Sequence, residues 1–209
     1  MDIRERVRHI IYIFDKTYGD AQCTLKYNKP LELLISTILA AQCTDERVNI
    51  VTEKLYKKYI SISHFANADL NELEEDIKPT GFFRNKAKNI KETCRILIDK
   101  YNGQIPDNME DLLKLPGVGR KTANLILGDI YGIPGIVVDT HAKRLSNRIG
   151  LSNSSDAKKV EFDLMKVVPT ENWSKLCHQM VYHGRAVCKA RKPDCENCKI
   201  IKYCNYGSS

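Results

Sequence analysis

Residues 115–123 read Leu-Pro-Gly-Val-Gly-Arg-Lys-Thr-Ala. Pro116 and two glycines in three positions interrupt any helix that precedes them, and a helical pattern resumes from about Arg120 to Tyr131. A shorter helical segment, about Met109 to Lys114, runs into the same stretch. The reading is a helix–hairpin–helix. Gly117 and Gly119 can adopt positive φ and, with Val118 between them, expose consecutive N–H groups as an anion nest. The helix that follows adds its positive end beside Arg120. A nucleic-acid phosphate suits such a nest, and a contact of this kind reads position rather than base sequence. A plain turn between two helices is the competing interpretation.

Helical period extends outward from the hairpin in both directions. Ile3, Val7, Ile10, Ile11 and Phe14 share one helix face, with Gly19 as the stop. Pro30 opens a helix to about Ala41, and Thr44 caps the next to about Tyr59. Asp69 with Glu72 starts another, ended by Pro79-Thr80-Gly81. Arg84 to Tyr101 is long and closes at Asn102-Gly103. Beyond the hairpin, helices are expected over Thr140–Ile149, Asp156–Val167 and Glu171–Val187. No segment alternates with period 2, so the class is all-α. The Gly/Pro-rich residues 132–135 are the candidate crossing between domains.

Hydrophobic residues are 43% of the 209, enough to build a core and to exclude a disordered chain. No apolar run approaches the roughly 20 residues of a membrane helix. The opening Met-Asp-Ile-Arg-Glu lacks the apolar core of a secretory signal, so an intracellular protein without membrane association is expected. The formal charge is +7, and residues 181–209 carry six basic side chains against two acidic ones. That concentration points to a polyanion near the C-terminal end.

Eight cysteines in an intracellular chain are not read as a disulfide framework. Cys23, Cys43, Cys94 and Cys177 are scattered and read as packing residues. Cys188, Cys195, Cys198 and Cys204 are spaced C-x6-C-x2-C-x5-C and read as metal ligands. Four thiolates suit either a tetrahedral zinc ion or a [4Fe–4S] cube with one sulfur per iron. Lys189, Arg191 and Lys192 would favour the thiolate form.

Two further residues carry chemistry. Lys121 stands in the first turn after the hairpin, where a neighbouring cation, the helix dipole and desolvation all favour the neutral, nucleophilic amine. Asp139 precedes Thr140-His141 at a helix start, where an N-cap is the ordinary role. A carboxylate there can also stabilise a developing sugar cation.

Taken together, Leu115–Asn124, Val138-Asp-Thr-His141, the cysteine spacing, Ala41-Gln-Cys-Thr-Asp45 and Thr80-Gly-Phe-Phe83 resemble the endonuclease III family of base-excision DNA glycosylases. The likeness spans nearly the whole chain in the family's order. It implies two helical domains flanking a DNA-binding cleft, one over residues 22–132 and a discontinuous one over 1–21 plus 133–209. It implies a [4Fe–4S] cluster on Cys188, Cys195, Cys198 and Cys204. By resemblance, Lys121 attacks C1′ of a damaged nucleotide, the base leaves, and β-elimination cuts the strand, while Asp139 stabilises the sugar cation. Gln42 matches the residue that fills the space left by an extruded lesion, and Phe82 falls where many relatives place a leucine wedge. Gly117, Val118, Gly119, Arg120, His141, Lys189, Arg191 and Lys192 complete the expected DNA contacts. The expected partner is double-stranded DNA with damaged bases, oxidised pyrimidines foremost, or abasic sites. A monomer of the cytoplasm or nucleoid is expected if the source is bacterial or archaeal. The alternatives are a monofunctional mismatch or adenine glycosylase, which lacks a lysine at position 121, and a non-catalytic iron–sulfur DNA-binding module.

Overall fold

The computed structural model describes residues 1–207, which are helical with no strand among them. The helices are α1 (Ile3–Thr17), α2 (Pro30–Leu39), α3 (Asp45–Lys58), α4 (Ile62–Asn67), α5 (Leu70–Ile77), α6 (Phe83–Tyr101), α7 (Met109–Leu112), α8 (Arg120–Tyr131), α9 (Thr140–Ile149), α10 (Ala157–Val167) and α11 (Trp173–Ala186). Short 3₁₀ turns occupy Lys78–Thr80, Thr170–Asn172 and Ile201–Tyr203. No helix among the described residues is long and apolar enough to cross a membrane. The chain divides into two compact units, residues 24–131 and residues 1–23 with 132–209.

In the unit of residues 24–131, α2 is the central helix. Leu33 to Leu39 are all buried, as expected of a helix that is apolar all round. Its buried hydroxyls are satisfied locally. Thr37 donates to the Leu34 carbonyl at 2.7 Å. Tyr56 donates to the Glu32 carbonyl at 2.7 Å, which leaves Ser36 to donate to the Tyr56 oxygen at 2.6 Å. Thr44, Ser61, Asp69 and Asn108 cap α3, α4, α5 and α7 by accepting main-chain N–H groups.

The other unit packs α1, α9, α10 and α11 around one core. Val7, Ile10 and Phe14 meet Leu145, Ile149, Val160, Leu164, Leu176 and Met180 there. Asp2 and Asp156 cap α1 and α10. The helix face read from Ile3 to Phe14 is the face that is buried, except that Ile3 is only half-buried.

Several sequence expectations need correction. Helix α4 escaped detection because six residues are too few for a period to show, although Ser61 is a sound cap. The helix expected from Glu171 begins as a 3₁₀ turn, with α11 proper starting at Trp173. Among the scattered cysteines, Cys94 and Cys177 lie in the core, and burial pushes the Cys94 thiol up to about 12. Cys23 and Cys43 are only half-buried.

Candidate functional site

The hairpin sits between α7 and α8 and alternates inward and outward. Leu115 and Val118 are buried, whereas Gly117 and Gly119 are exposed. Thr93 of α6 donates to the Pro116 carbonyl at 3.0 Å and pins the turn from beneath. Gly117 has φ +79°, the left-handed conformation that favours glycine. Two details depart from the sequence expectation. Gly119 lies outside the left-handed region, and a Cβ built on it would meet nothing within 4 Å. The Val118 N–H turns back to the Leu115 carbonyl at 3.1 Å, so the hairpin does not present an unbroken run of outward donors. The first turn of α8 follows, and its leading amides have no intrahelical acceptor. Lys121 is exposed in that first turn.

Two loops in the same unit hold residues singled out from sequence. Gln42 follows α2 with φ +54°, and Phe82 precedes α6 with φ +47°. Both are exposed, Phe82 at 63% of its surface. Left-handed conformations are disfavoured for side chains with a Cβ and collect at functional sites.

Asp139, in the other unit, is half-buried and caps α9 by accepting the Ala142 N–H at 2.7 Å. His141, Arg144 and Arg148 follow on α9 at helical spacing. Arg144 donates to the carbonyls of Gly184 (3.1 Å) and Cys188 (2.9 Å from Nη2), and its Nη2 lies 3.1 Å from His141 Nδ1. Arg148 donates to the Lys189 carbonyl at 2.7 Å, to the Ala190 carbonyl at 3.0 Å and to Cys188 Sγ at 3.3 Å. Helix α9 therefore carries Asp139 at its start and grips the cysteine loop further along.

Cys188, Cys195, Cys198 and Cys204 all line one pocket, walled by Leu145, Ile149, Ile200 and Ile201. Among the described residues no three His, Cys, Asp or Glu side chains converge as the ligands of a single metal ion would. Burial raises the Cys198 thiol above the usual cysteine range. His183, drawn down to about 4 by burial, is neutral. Its Nδ1 lies 3.0 Å from the Tyr18 hydroxyl, and its Nε2 faces Cys198 Sγ at 3.6 Å. Arg148 donates to a cysteine sulfur, while Lys189, Arg191 and Lys192 are exposed on the loop. Arg144, Arg148 and His183 were missed from sequence. The Arg144–Arg148 pair, four apart on a helix that begins with a capping aspartate, is the signal that could have found the first two.

The HhH-GPD superfamily of base excision DNA repair proteins matches residues 35–170. The endonuclease III of Synechocystis sp. is 49% identical over 96% of this chain and 92% of its own length. That of Bacillus subtilis is 41% identical over 96% of this chain and 94% of its own. A solved structure described as a trapped endonuclease III–DNA covalent intermediate superposes with a TM-score of 0.94 at 44% identity, covering 100% of this chain and 98% of the other. This hairpin, this order of site residues and this breadth of likeness place the chain in the HhH-GPD superfamily, as a member of its endonuclease III family.

Proposed function

We propose that the chain excises damaged bases, oxidised pyrimidines foremost, from duplex DNA and then cuts the abasic strand. The carrying observation is Lys121, an exposed amine one helical turn from a phosphate-suited hairpin, in a chain whose relatives are endonucleases III. The neutral Lys121 amine attacks C1′ of the damaged nucleotide. The glycosidic C–N bond breaks, its electron pair leaves with the base, and the base takes up a proton. One proton of the attacking nitrogen passes to O4′ as the C1′–O4′ bond breaks, and the opened sugar is left as a protonated Schiff base on Lys121. Removal of a proton from C2′ then expels the 3′ phosphate. The Asp139 carboxylate stabilises positive charge on the sugar and relays protons. Bound DNA covers the exposed Lys121 and excludes water from the reacting amine.

The Gly117 and Gly119 amides and the start of α8, with Arg120, hold phosphate, while the Val118 side chain supports the turn from inside. Gln42 and Phe82 engage the distorted duplex. His141 and the loop cations Lys189, Arg191 and Lys192 add contacts. The four cysteines fit a [4Fe–4S] cluster better than one zinc ion. Their C-x6-C-x2-C-x5-C order resembles the family's cluster ligands, and all four line one pocket. With one cysteine per iron, such a cluster offers no open coordination position, so its contribution is to hold the loop. A monomer acting inside the cell, in the cytoplasm or nucleoid if the source is bacterial or archaeal, completes the reading.

Borohydride trapping tests it. The wild-type protein should form a covalent adduct with abasic-site DNA, and a Lys121→Gln protein of unchanged fold should not, while still binding that DNA. Undiminished trapping by Lys121→Gln moves the nucleophile elsewhere.

A further inference from the structure

Lys86 is a buried cation with no part in the chemistry above. It lies on α6, only 4% exposed. Its ammonium donates to the Leu39 carbonyl and to the Thr80 carbonyl, each at 2.8 Å. Among the described residues no carboxylate pairs with it. Burial pulls the ammonium below the ordinary lysine range, and the nearby Cys43 thiol partly offsets this. Burying a cation without an anionic partner is expensive, so its persistence asks for a reason.

The two acceptors supply one. Leu39 is the last residue of α2, where carbonyls have no intrahelical donor and the helix dipole is negative. Thr80 closes the 3₁₀ turn Lys78–Thr80. Each acceptor immediately precedes a strained loop. Gln42, at φ +54°, is three residues after Leu39, and Phe82, at φ +47°, is two residues after Thr80. The Lys86 main-chain N–H also donates to the Phe82 carbonyl at 3.2 Å. One side chain and its own amide thus tie both loops to α6.

We propose that Lys86 is a positioning residue: it clamps the ends of α2 and the 3₁₀ turn together, so that Gln42 and Phe82 are held in the relative placement needed to part a duplex. The proposal rests on the reading that Gln42 and Phe82 engage DNA. Lysine suits the task because one ammonium carries three donors and can serve two carbonyls at once. A neutral side chain of the same length leaves both carbonyls buried and unpaired.

The test uses the full-length protein with its metal content verified. Two probes are compared in single turnover: a duplex oligonucleotide with one thymine glycol, and a single-stranded oligonucleotide with one abasic site, which has no pair to part. Lys86→Met should lower thymine glycol excision about tenfold, equivalent to about 1.4 kcal/mol. Cleavage of the single strand should change less than about twofold. Added to a Gln42→Ala/Phe82→Ala background, Lys86→Met should lower duplex excision little further, because residues acting as one unit are not additive. Lys86→Gln, which keeps a donor but is shorter, gives the same comparison should Lys86→Met not fold. Equal losses on both probes, or fully additive losses in the double background, overturn the clamp in favour of general stability. So does a borohydride adduct mapped to Lys86. If Gln42→Ala/Phe82→Ala itself excises like wild type, the DNA-engaging role of those loops fails and the clamp falls with it. That outcome is recognisable because it needs no Lys86 variant.

Discussion

The Asp139 carboxylate accepts the Ala142 N–H at 2.7 Å, so the residue assigned to stabilise the sugar cation is also the N-cap of α9. One carboxylate oxygen is committed to the helix, and the residue is half-buried. The two roles respond differently to substitution.

Asparagine caps a helix as well as aspartate but carries no charge. Asp139→Asn should therefore keep its stability and lose base excision by about 100-fold or more, the scale on which a preorganised charge acts. Cleavage of a preformed abasic site should survive in part, since no base need depart. Asp139→Ala should show the same catalytic loss and, in addition, about 1 kcal/mol of lost stability. Urea denaturation beside single-turnover excision separates these. A drop in stability for Asn as large as for Ala would mean that the charge, not the cap, holds α9.

The cysteine cavity makes a compositional forecast. Protein made under iron-replete anaerobic conditions should contain iron and acid-labile sulfide, and Cys198→Ser should lose both. Stripping the metal should loosen residues 188–204, seen as increased protease cutting there, while the core formed by α1, α9 and α10 persists. Stoichiometric zinc without sulfide sinks the cube.

Most helices of this fold were legible from their own period, and several also from a side-chain cap. Thr44, Asp69, Asp139 and Asp156 all accept the amides that their positions predict. The departures have local causes. Six-residue α4 shows no period, and nothing in the local sequence says that the Val118 amide turns back to Leu115. The spacing of the four cysteines marked them as a set, but what surrounds them depends on tertiary packing. Arg148 reaches the loop across 40 residues of chain, and His183 approaches Cys198 from α11. Lys86 was invisible for the same reason. In sequence it is one more lysine on a basic helix, and only folding reveals that its partners are two main-chain carbonyls.

The loop from Cys188 to Cys195 presents Lys189, Arg191 and Lys192 outward while its own carbonyls at 189 and 190 are held by Arg148. If these cations meet phosphate, each one neutralised should reduce the salt slope of DNA binding by about 0.9. Binding should weaken alike for lesion-bearing and intact duplexes, because phosphate carries no sequence or lesion information. Arg148→Met, with the metal retained, should reproduce part of the loss by freeing the loop. Fluorescence anisotropy across a salt series measures this. An unchanged slope in the triple variant, with the metal site intact, leaves the loop as a solvated surface.

The two hairpin glycines should separate folding from binding. At Gly117, an added Cβ would sit 3.0 Å from Asn89 Nδ2, on a backbone with φ +79°. Gly117→Ala should therefore lose about 1–2 kcal/mol of stability through the left-handed strain alone. Gly119 has neither problem, since a Cβ there meets open space and the backbone lies outside the left-handed region. Gly119→Ala should keep or slightly raise stability, by up to about 1 kcal/mol, because alanine restricts the unfolded chain. Its effect should appear when DNA arrives. The open space at Gly119 lies beside the exposed first turn of α8, and a methyl group there would hold a phosphate away from the amides. Affinity for abasic-site duplex should fall about tenfold, or about 1.4 kcal/mol. Urea denaturation and anisotropy on the two variants decide it: wild-type affinity in a stable Gly119→Ala protein means that phosphate does not approach the hairpin from this side, and the anion-binding role then passes to the α8 amides and Arg120 alone.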